Sequence, residues 1–165
     1  MDGSLQSDDS PELIFGLVAP IGVDLNLVSE VLAATIEEMG YNHTLLRLTE
    51  LMREAKIKLP LDAQTYVESY KQRISYANEV RRKLGVAALA ALSISAIRST
   101  RLLNREKGKV ATDKNNDLDT LGRTSVEDHE VETPIPSRAY IIRQFKRPEE
   151  INLMRSVYGR QFIVV

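Results

Sequence analysis

The sequence predicts an α/β domain: a parallel sheet flanked by helices, with a helical insertion between its two halves. Three observations carry this. Glu12 to Val18 is a short, nearly continuous apolar run, the pattern of a strand buried on both faces. Asn26 is placed to cap a helix in which Val28, Val31, Leu32, Thr35, Ile36 and Met39 recur at spacings of three and four. Gly40 sits where a left-handed C-cap belongs, and a second strand follows over Thr44 to Leu48. The pattern returns at the end of the chain as strand Arg138 to Ile142, helix Pro148 to Tyr158 and strand Phe162 to Val165. Strand–helix–strand is most commonly realised as a right-handed βαβ unit, so the sheet is expected to be parallel.

Between these halves the reading is helical. A short helix is expected from Thr49 to Lys56, and Asp62 can cap a longer one that runs to Leu84 and ends at Gly85. A further helix, alanine-rich in its first half, runs from Val86 to Glu106. Its Arg98, Arg101 and Arg105 share one face and read as a solvated row, with Arg98 the strongest candidate ligand contact of the three. Arg81-Arg82-Lys83 complements a helix C-terminus. Lys107 to Pro136, rich in Gly, Asn, Asp, Thr and Pro, reads as a mobile linker, and Met1 to Ser10 as a disordered leader before a single domain over 11–165.

Composition narrows the function classes. Lys and Arg number 22 against 23 Asp and Glu, a net charge of −1, which argues against general nucleic-acid binding. With no cysteine there is no thiolate nucleophile and no cysteine zinc site, and neither His43 nor His129 has an evident partner for metal binding or base catalysis. The start lacks the apolar core of a signal peptide, and the longest apolar stretch, Leu84 to Ile97, spans 14 residues, short of the roughly 20 of a membrane span. A cytoplasmic protein without a membrane segment is expected. Tyr66, Tyr70 and Ile74 form a stripe read as core or interface.

The turn after the first strand is the first candidate site. A P-loop wraps backbone N–H groups around phosphates, a lysine reaches the β and γ oxygens, and a Ser or Thr holds magnesium. Here the turn is Ala19-Pro20-Ile21-Gly22-Val23-Asp24-Leu25-Asn26. Leu25 falls where the lysine belongs and Asn26 where the Ser or Thr belongs, so phosphoryl transfer is not expected, whereas nucleotide binding through backbone groups is. On this reading Leu25→Lys restores a cation. A tight βα turn that uses Gly22 for its backbone freedom explains the same residues.

Four segments in order carry a resemblance: Phe15-Gly16-Leu17-Val18-Ala19-Pro20-Ile21-Gly22-Val23-Asp24-Leu25, Gly85-Val86-Ala87-Ala88-Leu89-Ala90 leading to Ala96-Ile97-Arg98, Ala139 to Glu150, and Leu153 to Phe162. Together they resemble the P-loop, nucleotide-kinase-like portion of the deoxycytidylate deaminase-like proteins of bacterial antiviral defence. In that family this portion precedes a zinc-dependent deaminase domain. The resemblance implies a nucleotide-binding or regulatory module with a dNTP or ATP ligand and a deaminase domain in cis or in trans. Zinc belongs only to the deaminase half, whose H-x-E and P-C-x-x-C pattern is missing from this chain. The close in Val164-Val165 is then expected to reflect truncation.

Nucleotide kinases cover phosphates with lid arginines, and Arg143, Lys146 and Arg147 lie in a strand-to-helix loop suited to this. The site residues expected from sequence are thus Ala19, Pro20, Ile21, Gly22, Val23, Asp24, Asn26, Arg98, Arg143 and Arg147, with no catalytic residue and no metal ligand. Two alternatives stay open. One is a divergent kinase that takes its cation from Arg143 or Arg147. The other is a structural domain forming a homo-oligomer through the alanine-rich helix from Val86.

Overall fold

The computed structural model describes residues 10–112 and 132–165 of the chain. Four strands, β1 (Leu13–Leu17), β2 (Asn42–Arg47), β3 (Arg138–Arg143) and β4 (Phe162–Val164), form one all-parallel sheet in the order β2-β3-β1-β4. Both strand–helix–strand units therefore skip a strand. The connection from β1 passes β3 to reach β2, and the connection from β3 passes β1 to reach β4. Residues paired in the two central strands, such as Phe15 with Ile141, are far apart in sequence.

Alternation along the strands assigns the two faces. Ala139 and Ile141 of β3 pack with Leu17 beneath α1 (Leu25–Glu38), whose Leu25, Val28, Leu32 and Ile36 supply the facing stripe. Tyr140 and Ile142 point the other way, with Ile14, into the larger core. That core is covered by α2 (Leu48–Leu51) with a 3-10 turn Met52–Ala55, α3 (Tyr66–Leu84), α4 (Ala88–Thr112) and α5 (Pro148–Tyr158). Gly16 allows the closest approach in this core: a Cβ there would lie 2.6 Å from Cζ of Phe162.

Several boundaries differ from expectation for identifiable reasons. The cap of α1 is Asp24 rather than Asn26, because the Asp24 carboxylate accepts from the backbone N–H groups of Asn26 (2.9 Å) and Leu27 (3.3 Å). β2 stops at Arg47, and Leu48 opens α2 instead of closing the strand. The cap of α3 is Thr65 rather than Asp62, in a reciprocal arrangement in which Thr65 Oγ1 accepts from Glu68 N–H and donates to the Glu68 carboxylate. α4 starts at Ala88, later than Val86, and continues to Thr112, so the expected linker is helical over its first residues. At its other end, Glu132 and Thr133 are held by arginines of α4, as described below. Residues 113–131 of that linker, with His129, lie outside the described residues, as does most of the leader. Among the described residues no single helix is long and apolar enough to cross a membrane.

The row on α4 is not uniformly solvated. Arg101 is buried and paired with Glu12, which is itself buried just before β1; its Nε donates to Glu12 Oε2 at 3.2 Å. Burial opposes the charge of Arg101, but the hydrogen bond and charge of Glu12 outweigh it and raise its pKa. Arg101 also donates to the carbonyl of Glu132 (3.1 Å), Arg105 donates to that of Thr133 (2.8 Å), and Arg98 pairs with the Glu132 carboxylate. Glu12 Oε2 accepts from Ile135 N–H at 3.0 Å. The three arginines thus fix the returning chain at the amino end of the sheet.

Candidate functional site

At the opposite, carboxyl end of the strands the order of the sheet creates a crevice. The chain leaves β1 toward α1 on one face and leaves β3 toward α5 on the other, so the two loops diverge between adjacent strands. Open parallel sheets bind ligands at such switch points. A cleft of about 990 Å³ opens here and extends between α2 and α3. Seven cationic side chains and one carboxylate, Glu50, line it, in a chain whose net charge is −1. Arg47, Arg143, Lys146 and Arg147 come from the strand ends, and Arg53, Arg73 and Arg81 from the helical side.

Two of these cations are neutralised. Arg81 binds the fully buried Glu150 (Nε to Oε1 2.8 Å), and Arg47 reaches Glu50 at 3.3 Å. The other five make no ion pair among the described residues. Glu150 has a second task, since its Oε2 accepts from the backbone N–H groups of Lys146 (3.0 Å) and Arg147 (3.2 Å). One buried carboxylate therefore shapes the loop after β3 and anchors it to α3 through Arg81, which the sequence had assigned to a helix dipole. Gln144 in this loop has φ of 146°, a region rarely occupied by residues with a side chain.

The loop cations meet the turn. Arg143 donates to Asn26 Oδ1 at 2.7 Å, and Lys146 Nζ donates to the carbonyl of Ala19 at 2.8 Å. A lysine thus reaches the turn from across the crevice, although Leu25 stands at the sequence position where a P-loop carries one. Leu25, the first residue of α1, is buried against the sheet, so Leu25→Lys would place an ammonium in the core instead of restoring a cation to the turn. Burial, followed by the neighbouring Arg47, lowers the pKa of Arg143, and Asp24, Glu30 and Glu50 partly offset this.

The turn itself is exposed. Ile21 is 75% accessible, and Gly22 adopts φ of 99° with nothing within 4 Å of where a Cβ would sit, so conformation rather than space demands glycine there. The first N–H groups of α1 already serve the Asp24 carboxylate, which stands where the amino end of a helix would attract an anion.

Of the residues expected from sequence, Ile21, Asn26, Arg143 and Arg147 line the cleft, and Ala19 and Asp24 adjoin it through Lys146 and Asn26. Pro20, Gly22 and Val23 complete the turn without lining it. Arg98 is not among the lining residues and is held by Glu132. Sequence reasoning missed Arg47, Arg53, Arg73 and Glu150. The signal for Arg47 was its position at the end of a strand, beside Arg143 in parallel register. Among the described residues no three His, Asp or Glu side chains converge on a metal-sized site. The chain matches no family model, no curated protein and no solved structure.

Proposed function

We propose that the chain is a P-loop-like nucleotide-binding module that holds its ligand's phosphates in the basic cleft and is not catalytic by itself. The observation that carries this is the convergence of Arg143, Lys146 and Arg147 on the crevice between β1 and β3, with no carboxylate partner among the described residues. Unpaired guanidinium and ammonium groups around a concave site attract phosphate oxygens. On the residue resemblance, the module serves as the regulatory part of a deoxycytidylate deaminase-like antiviral defence protein, with the deaminase domain in cis or in trans.

Calorimetric titration with dCTP and ATP tests the binding. Both Arg143→Gln and Lys146→Met should weaken it about tenfold, the scale of one charge-assisted hydrogen bond. No heat at millimolar nucleotide would overturn the reading. The pure chain should release no ammonia from dCMP or dCTP when supplied with zinc, because it has no cysteine with which to build the site.

One observation favours a second reading. Lys146 supplies a cation to the turn in place of a P-loop lysine, as a divergent kinase would require. Turnover of ATP in a coupled assay, abolished by Lys146→Met, would replace the regulatory reading with this one.

A further inference from the structure

The cleft is larger than a phosphate site needs. Its volume of about 990 Å³ stands at the upper end of the roughly 300–1,000 Å³ of small-molecule pockets. The lining also changes character along its length. Near the strand ends it is cationic, whereas between α2 and α3 it presents Leu61, Tyr70, Ile74 and Ala77. The last three recur at spacings of four and three, so they form one stripe of α3 facing the cleft.

Ala77 packs against the core, but the end of the stripe toward Tyr66 does not. Ile74 is 46% accessible, and Tyr66, against which the Tyr70 ring stacks at 6.5 Å, is 83% accessible. Polar groups border it: Gln72 is oriented by accepting from Ala63 N–H through Oε1 (3.0 Å), which leaves its amide N–H groups to donate. A held aromatic ring, aliphatic neighbours and an oriented amide suit a planar heterocycle with a hydrogen-bonding edge.

We infer that this arm of the cleft, with Tyr70 as its platform, receives the base of a nucleotide whose phosphates lie at Arg143, Lys146 and Arg147. The inference rests on the phosphate-binding reading above and adds that the ligand is recognised by its ring. Inorganic tripolyphosphate provides the comparison, because it carries no less charge than a nucleoside triphosphate, so any preference for nucleotide must come from ring and sugar.

The test titrates ATP, dCTP and tripolyphosphate into the whole chain at one ionic strength. At least one nucleotide should bind ten times more tightly than tripolyphosphate. Tyr70→Ala should remove about tenfold of nucleotide affinity while tripolyphosphate stays within twofold, and Tyr70→Phe should retain the preference. If circular dichroism shows Tyr70→Ala unfolded, Ile74→Glu at its more exposed position takes its place with the same expectation. Tripolyphosphate binding as tightly as both nucleotides, or a preference that survives both Tyr70→Ala and Ile74→Glu, overturns ring recognition and leaves the phosphate reading standing. Failure of all three compounds to bind overturns both.

Discussion

Arginines gather at both ends of the sheet, and the two ends use them differently. At the amino end Arg101 is 3% accessible, paired with Glu12, and placed 5.9 Å from the centre of the Tyr158 ring. At the carboxyl end Arg53, Arg73 and Arg147 are exposed, line a cleft and have no carboxylate partner among the described residues. The first arrangement closes a fold and the second leaves charge available to a ligand. The difference lies in partners contributed by distant segments, because the arginines of α4 read as solvent-facing from local spacing alone.

The largest expected effect follows from breaking a buried pair. Arg101→Met leaves the Glu12 carboxylate buried without its cation, and Glu150→Ala strips Arg81 and the loop after β3 of their shared acceptor. Each should lower stability by about 3–5 kcal/mol, read from the urea midpoint. Arg147→Ala should stay within about 0.5 kcal/mol. Glu150 sharpens the comparison because it belongs to the carboxyl end yet behaves like the amino end. Equal losses in all three variants would show that burial does not separate the two kinds of site.

Alkaline pH probes the amino end next. Burial first, with a contribution from the Glu12 charge, raises the Tyr140 and Tyr158 hydroxyls from 10 to about 12. In the unfolded chain both ionise near pH 10, so the stability they confer is complete below that value and disappears as pH climbs through 12. The expected loss over that window is up to a few kcal/mol for the pair, measured by denaturant titration at successive pH values. Tyr158→Phe should remove its share of the slope. A flat profile between pH 10 and 12 would mean that the tyrosines reach solvent.

The sequence revealed local pattern well and long-range pairing poorly. β1, α1, β3 and α5 lie where periodicity and the Pro148-Glu149-Glu150 start signal put them, because those signals operate within a few residues. The turn and the Arg143 loop were likewise found as separate candidates. Their union through Asn26 crosses 117 residues, the Glu12–Arg101 pair 89, and the Arg81–Glu150 pair 69. Spacing on one helix does not show such partners. Leu25 illustrates the same limit at short range: the motif position suggested that a lysine substituted there would reach a ligand, while the helix phase set by Asp24 turns the side chain into the core.

The smallest expected effect concerns Asp24, where the two uses of charge meet in one residue. Its carboxylate caps α1, and its field partly offsets the lowering of the Arg143 pKa by burial and Arg47. Capping requires an oxygen acceptor, which Asn provides as well as Asp does, whereas the opposition to a bound anion requires the charge. Asp24→Asn should therefore keep stability within about 0.5 kcal/mol while tightening triphosphate binding two- to fivefold, about 0.3–1 kcal/mol, an effect that shrinks with added salt. Asp24→Ala should lose the cap as well, at about 1 kcal/mol. Calorimetry and thermal melting of the two variants separate the contributions. Weaker triphosphate binding in Asp24→Asn would assign the carboxylate to the ligand side of the comparison, as a group that helps hold the bound species.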